Sequence, residues 1–266
     1  QPELNDVSQT ILEGDDITSE LRRHRAADDL ADDWRAAVEA GGRGEVAAAL
    51  TRLGEMRARC GARDDLRSLA WSTAASLHRQ AGRHRAAHIL DGRALAAAAP
   101  FVAPQCRVRH DLGRAALSDA LVGLAADNLG LMRLTASQRL LDRCDVLLAD
   151  LDTEHPGRWD HRQWETGGRG WLRSRWVRAE LAMYFGVGTQ AVEISGAAVA
   201  ATDEITDGIT PRHRIKTRLI AAAADAAAGD LDRSAARARQ LADHAREEGL
   251  GPLQWAAPVS YTHLTL

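Results

Sequence analysis

The sequence contains few of the residues that β-sheets favour. Its 266 residues include two Phe, two Tyr and seven Pro, and Lys216 is the single lysine beside 33 arginines. Strands are enriched in aromatic and β-branched residues, whereas arginine and the 51 alanines are good helix formers. No window as long as the helical patterns described below alternates apolar and polar residues. We therefore expect an all-α protein.

Cysteines and long apolar runs are also scarce. The cysteines Cys60, Cys106 and Cys144 are odd in number and widely spaced, which argues against a disulfide framework or a zinc ribbon. The longest apolar stretch, residues 94–103, has about half of the roughly 20 residues that a membrane helix needs. The formal net charge of −3 gives no overall attraction to nucleic acid or to an anionic membrane. We expect buried, reduced thiols in a cytoplasmic protein that does not bind membranes.

Apolar residues recur at helical spacing in one segment after another, as in the stripe of Leu66, Leu69 and Leu77. Five glycines separate successive stripes, and a small residue follows each of them five positions later. The glycines are Gly42, Gly82, Gly130, Gly186 and Gly229, and the small residues are Ala47, Ala87, Thr135, Ala191 and Ser234. Glycine can adopt the left-handed backbone that ends a helix, and a small residue lets the next helix pack closely. The pattern predicts five helix–turn–helix hairpins.

The two ends of the chain depart from this pattern. Residues 1–16 are polar and lack helical periodicity, so we expect a loose tail there. The helical repeat domain is predicted to span residues 17–252, and a second tail is predicted at residues 253–266. Residues 260–266 differ in composition from everything before them, and we expect them not to be native.

One hairpin resembles a known repeat. The residues that carry the resemblance to a tetratricopeptide repeat are Trp71, Gly82, Ala87, Ala94 and Pro100. In the first helix of that hairpin, Ala74 and Ala75 stand where the repeat has Leu-Gly, and His78 stands where it has Tyr. Asp91 replaces an aromatic residue, and Pro100 comes one position late. The other hairpins keep only the glycine and the small residue.

The resemblance implies an α-solenoid of about five antiparallel hairpins, whose concave face binds an extended peptide or a partner protein. A closed helical bundle is the alternative architecture. On this resemblance we expect a protein–protein interaction scaffold. The alternative function is the ligand-sensing or dimerising helical domain of a transcriptional regulator, whose other domain would be missing because the chain begins at Gln1 without an initiating Met.

Residues 155–178 combine tryptophan with arginine to an unusual degree. They contain four of the seven tryptophans and six arginines, but Asp160 and Glu165 are their only acidic residues. Guanidinium groups stack on indole faces and bind carboxylate or phosphate, so this stretch could bind an acidic peptide. If the protein binds nucleic acid, we expect it to do so only through residues 155–178. The candidate partner-binding residues are Arg158, Trp159, Arg162, Trp164 and Arg169.

These five candidates are expected to be solvent-accessible and to line a concavity. The loop that carries them is bounded by Pro156 and by Gly167-Gly168, and it has no evident role in an alanine-rich core. The alternative is that the tryptophans anchor the core and that the arginines form a solvated helix face.

Other motifs do not support catalysis or cofactor binding. His84, His88 and Asp91 could share one helix face, but no Glu follows His84 as the helical zinc motif requires. Residues 186–191 match a glycine-rich dinucleotide pattern, yet a helical period precedes them instead of a strand. No phosphate loop, nucleophile elbow or Cys–His arrangement is present. We expect no enzyme activity, no metal and no cofactor.

Overall fold

A computed structural model describes residues 28–103 and 112–262, with side chains through residue 256. Within these ranges every regular element is a helix, so the prediction of an all-α protein is confirmed. The main helices are α1 (28–43), α2 (Val46–Arg59), α3 (Asp64–Gln80), α4 (His84–Ala98), α5 (Gly113–Gly130), α6 (Leu134–Leu147), α7 (161–184), α8 (Gly188–Glu204), α9 (Pro211–Ala227), α10 (Leu231–Glu247) and α11 (Gly251–Thr262).

Helix α7 is continuous but contains a π-helical segment. It begins with His161–Gln163, passes through the π-helical residues Trp164–Gly168, and continues as Arg169–Tyr184. Its start is fixed by a capping box, in which the Asp160 carboxylate accepts a hydrogen bond from the Gln163 amide at 2.7 Å. A single π-helical turn inside an α-helix widens the backbone locally and is often found at functional sites.

The turns between paired helices follow the predicted rule, with two corrections. The residue with left-handed backbone is Gly44, Gly82, Met132, Gly186 or Gly229. In all five hairpins the residue five positions later is small and buried: Ala49, Ala87, Ser137, Ala191 and Ser234. The prediction of Gly42 and Gly130 as turn residues was therefore wrong, because the turns after α1 and α5 come two residues later than predicted. For the same reason the predicted small residues Ala47 and Thr135 are exposed.

The last helix also differs from the prediction. Residues 253–266 were expected to be a tail, but α11 runs through residue 262. Leu253 is buried in a cluster with Ile215 and Leu219 of α9 and with Leu241 of α10. The predicted tail at residues 1–16 lies outside the described residues.

Two further expectations can be compared with the described part of the chain. Cys60 and Cys144 are free and buried, as predicted, and burial raises the pKa of the Cys144 thiol to about 12. Cys106 lies outside the described residues. None of the described helices is long and apolar enough to cross a membrane.

The helices form two layers with a simple pattern of contacts. From α2 onwards each helix packs against the next helix in sequence. The odd-numbered helices from α3 to α11 also pack against one another in succession, α3 on α5, α5 on α7, α7 on α9 and α9 on α11. The odd-numbered helices therefore make an inner layer, and the even-numbered helices cover it.

Helix α1 brings the two ends of the inner layer together. Trp34 Nε1 donates a hydrogen bond to Thr73 Oγ1 of α3 at 3.0 Å, and Arg35 forms an ion pair with Glu165 of α7 at 2.9 Å. At the turn after α1, a Cβ placed on Gly44 would lie 3.4 Å from Cδ of Pro252 in α11. The first and the last helices of the described part of the chain therefore touch.

The joint between the second and third hairpins is polar. The Arg79 guanidinium of α3 lies 2.9 Å from Asp91 Oδ2 of α4 and 2.5 Å from Asp127 Oδ1 of α5. Ser72 Oγ donates a hydrogen bond to Asp91 Oδ1 at 2.8 Å. Both carboxylates are fully buried, so one guanidinium faces two carboxyl groups away from water. Desolvation raises the pKa of Asp91 to about 7, although Arg79 opposes the shift.

We expect this raised pKa to make stability depend on pH. The folded chain holds the Asp91 proton more tightly than the unfolded chain does, so this carboxyl group contributes most below about pH 4 and loses its contribution as the pH rises through about 7. Asp91→Asn removes the titration. As the pH rises from roughly 5 to 8, the thermal midpoint of this variant should therefore fall by less than the thermal midpoint of the unchanged chain.

The matched control is Asp150→Asn, because Asp150 is an exposed carboxylate that pairs with Arg114. Its pH profile, recorded by thermal melts followed by circular dichroism, should parallel that of the unchanged chain. Parallel profiles for Asp91→Asn as well would show that Asp91 does not titrate in this range.

Candidate binding site

The tryptophans of the predicted binding loop lie inside the protein. Trp159 Nε1 donates a hydrogen bond to the Asp152 carbonyl oxygen at 2.7 Å, and its ring meets Trp171 edge-on at a centroid distance of 5.6 Å. The Trp164 ring meets His213 of α9 edge-on at 5.1 Å. The two rings belong to one apolar cluster that also includes Leu172 and residues of α8. These contacts join α7 to α8 and α9.

The prediction that Trp159 and Trp164 are exposed is therefore wrong. Each retains 3% of its accessible surface, so the core interpretation is the correct one for these two rings. The nearby glycines make room for them: a Cβ on Gly168 would lie 2.6 Å from the Trp159 ring, and one on Gly208 would lie 2.4 Å from the Trp164 ring. Gly168, which the sequence analysis placed at the boundary of a loop, is thus a position against which the Trp159 indole packs.

The arginines of the same stretch are distributed over different surroundings. Arg158 and Arg162 are exposed, whereas Arg169 is half-buried. Arg175 and Arg178 of α7 both pair with Asp145 of α6, at 2.5 Å each. Guanidinium groups that are neutralised within the fold add little attraction for a nucleic-acid strand. Residues 155–178 do not form a continuous basic surface.

The histidine and glycine motifs singled out in the sequence lack the surroundings that a metal or dinucleotide site requires in the described part of the chain. Asp91 belongs to the polar joint with Arg79, and the ring nitrogens Nδ1 of His84 and His88 are buried without a hydrogen-bond partner. No group of three or more His, Cys, Asp or Glu side chains in the described ranges is arranged to hold a metal. Residues 186 and 187 lie in the turn between α7 and α8, and residues 188–191 form the first turn of α8. A dinucleotide site would need a strand before this turn, but the helix α7 precedes it.

A cluster of charged residues that the sequence did not reveal lies in the inner layer. Arg169 and Arg173 of α7 both donate to Asp119 of α5, with Arg169 at 2.6 Å from Oδ2 and Arg173 on Oδ1. The Arg169 guanidinium also lies 5.0 Å from the centroid of the Trp34 ring of α1. The two guanidiniums lower the pKa of Asp119, which burial alone would raise. Together with Arg212 of α9, Arg169 and Arg173 are referred to below as the arginine cluster.

Arg212 differs from the other two arginines because it has no counter-ion among the described residues. Its Nε is buried without a hydrogen-bond partner, and its Cδ would lie 3.1 Å from a Cβ placed on Gly42 of α1. Burial, and to a lesser extent Arg173, lowers the pKa of Arg212. Arg212 follows Pro211 at the first turn of α9, where the helix dipole is positive.

The neighbouring histidine stays uncharged. Burial lowers the pKa of His213 well below its usual value, and the guanidiniums of the arginine cluster lower it further. Its Nδ1 lies 2.8 Å from Thr210 Oγ1 in the capping box of α9. His213 therefore orients the start of α9 without balancing or adding charge.

Of the five residues predicted to contact a partner, Arg169 belongs to the arginine cluster. Nothing in the local sequence separates Arg212 from the other arginines, because its importance depends on α1 and α7, which lie about 170 and about 40 positions away, respectively. Comparisons with protein-family models, with curated proteins and with solved structures found no match to this chain.

The buried position of Trp164 predicts a structural effect. Trp164→Ala should lower the free energy of unfolding by about 3–5 kcal/mol, because the ring would leave a cavity between α7 and α9. Trp255→Ala is the matched control, since Trp255 is 77% exposed and its loss should cost less than about 0.5 kcal/mol. Urea unfolding followed by circular dichroism measures both values. Similar midpoints for the two variants would contradict the core role of Trp164.

Proposed function

We propose that this chain is a helical-repeat scaffold that binds a partner protein. The observation that carries the proposal is the pattern of helix contacts, in which each helix packs on its sequence neighbours and the inner helices pack on one another in succession. From α2 onwards that pattern is typical of an α-solenoid similar to tetratricopeptide repeats, in which each hairpin contacts its neighbours. The contacts of α1 with α7, and of the turn after α1 with α11, come in addition to it. The same contacts, closed by α1, favour a tightly curled solenoid over an open one. Solenoids of this kind are mainly binding surfaces.

We place the partner surface on the edge formed by the hairpin turns. Helix α1 lies against α3 and α7 of the inner layer, so that face is already occupied by the chain itself. Exposed apolar side chains lie on the turns of three successive hairpins instead. This surface, the turn edge, consists of Met132, Tyr184, Phe185, Val187 and Leu231.

The aromatic residues of the turn edge are the strongest part of this argument. The chain has four Phe and Tyr residues, and two of them are adjacent in the turn after α7. Tyr184 is 54% exposed and Phe185 is 50% exposed, whereas Phe101 is fully buried. Single exposed apolar residues are common, but aromatic residues grouped with other apolar side chains are typical of protein interfaces.

Neighbouring turns are close enough to act together. A Cβ on Gly188, next to Val187, would lie 2.4 Å from the carbonyl oxygen of Ala227 at the end of α9. The turn that carries Tyr184 and Phe185 therefore touches the turn that leads to Leu231. A partner helix or strand could contact both turns at once.

Selection of peptides from a random displayed library tests the proposal. Peptides that bind the intact chain should be enriched, and Phe185→Ser should weaken the binding of the selected peptides about tenfold or more, because exposed aromatic residues often dominate interface energies. Binding is measured by titration calorimetry with each selected peptide.

Val146→Ser is the matched control. Val146 is an exposed apolar residue on α6 that lies outside the turn edge, so this change should leave peptide affinity unaltered. Failure to enrich any peptide would contradict the scaffold function. Equal affinities for the Phe185 and Val146 variants would contradict the position of the surface.

A second function, that of a ligand-sensing helical domain, is favoured by the arginine cluster. A scaffold surface on the turn edge needs no charge in the inner layer, yet two guanidinium groups there share the carboxylate of Asp119, and Arg173 also lowers the pKa of Arg212. Binding of a small anion by the intact chain, without any partner protein, would distinguish this function from the scaffold.

A further inference from the structure

We propose that the arginine cluster is a binding site for a small dianion that carries a phosphate group or two carboxylates. The site lies between α5, α7 and α9, beside the end of α1. Its ligand would contact Arg212 directly, while Arg169 and Arg173 complete the positive surroundings. Binding of this ligand goes beyond the proposed scaffold function and would hold even if the turn edge bound no protein.

The charge balance of the cluster is the first argument. Asp119 is the carboxylate that pairs with Arg169 and Arg173, and its two oxygens are shared between them. Arg212 adds a third positive charge and has no carboxylate partner among the described residues. The cluster therefore carries an excess of two positive charges. A phosphate group at neutral pH carries about −1.5 to −2, which matches this excess.

The unused hydrogen-bond donors are the second argument. Nε of Arg212 and Nε of Arg169 are both buried and lack an acceptor. A buried donor without an acceptor is unfavourable, and a buried unpaired charge is more so. Guanidinium groups bind phosphate and carboxylate through a planar fork of N–H donors, so an oxyanion is the chemical class that satisfies them.

The position of Arg212 in its helix is the third argument. It is the second residue of α9, after Pro211, and the positive end of a helix dipole favours an anion at that place. His213 remains neutral and does not compete for the anion. The side chains of Arg169 and Arg173 keep 14% and 17% of their surface exposed, so the cluster is reachable from solvent.

The test compares inorganic phosphate and succinate with sodium chloride at equal ionic strength. Thermal melts and titration calorimetry are carried out on the intact chain. We expect phosphate, succinate or both to raise the melting midpoint above its value in chloride and to give saturable heat. A larger effect of phosphate assigns a phosphate ligand, and a larger effect of succinate assigns a dicarboxylate.

Arg212→Met is the decisive variant. It should weaken anion affinity tenfold or more, and without anion its melting midpoint should equal or exceed that of the unchanged chain, because a desolvated unpaired charge has been removed. Arg212→Lys keeps the charge but loses the fork, and its affinity should be intermediate. Arg218→Met, on the same helix but paired with Asp203, is the control and should keep the full response to the anion.

Several results would overturn the proposal. Absence of saturable heat with both anions in the unchanged chain would show that the cluster binds neither class. An unaltered response in Arg212→Met would place the anion elsewhere. A large drop in the midpoint of Arg212→Met in chloride alone would show that Arg212 stabilises the fold without a ligand.

Discussion

Close approach between paired helices is the constraint on which the rest of this structure depends, because the buried faces of α4, α8 and α10 consist mainly of alanine and serine. An alanine face buries little apolar area, so it stabilises a pair of helices only where their backbones come near each other. The five hairpin turns meet this requirement in the same way. A residue with left-handed backbone ends the first helix, and five positions later a small side chain such as Ala87 or Ser234 is buried between the pair. The two layers follow from repeating this unit, because each inner helix can then also reach the next inner helix.

Arginine–aspartate ion pairs connect neighbouring helices at positions where other helical proteins have large apolar side chains. Arg79 serves two buried carboxylates between α3, α4 and α5, and Asp119 serves two guanidiniums between α5 and α7. A guanidinium can satisfy two acceptors at fixed angles, which the point charge of lysine cannot do equally well. Arginine is therefore well suited to these two buried joints, at Arg79 and at Asp119.

The parts of this fold that depend on local sequence were predictable, and the parts that depend on distant neighbours were not. Helical periodicity predicted the all-α class, and Gly82, Gly186 and Gly229 were correctly identified as turn residues. The left-handed turn at Met132 was not, because a non-glycine residue rarely adopts that backbone and nothing in its surroundings announces it. Trp164 was misassigned because its burial depends on Gly208 and His213, which lie about 40 to 50 positions later in the chain. Trp159 packs on Trp171 and Gly168, which lie nearer in the sequence, but the helical pattern did not indicate this contact. The unpaired state of Arg212 depends on three helices and could not be inferred from any one of them.

A comparison with Arg57 shows how Arg212 differs from a structural arginine. Both are half-buried, have a lowered pKa and lack a carboxylate partner among the described residues. The Arg57 guanidinium lies 4.0 Å from the centroid of the Trp71 ring, which compensates the charge through a cation–π contact. Arg212 has no such ring contact and no acceptor for its Nε among the described residues. It also lies where α1 meets α9, next to Gly42. An anion bound to Arg212 would therefore lie at the contact between α1, in the first part of the chain, and α9, in the last part. A ligand that binds only when α1 and α9 are in contact stabilises that contact. Binding of the anion to Arg212 and packing of α1 against α9 would therefore favour each other.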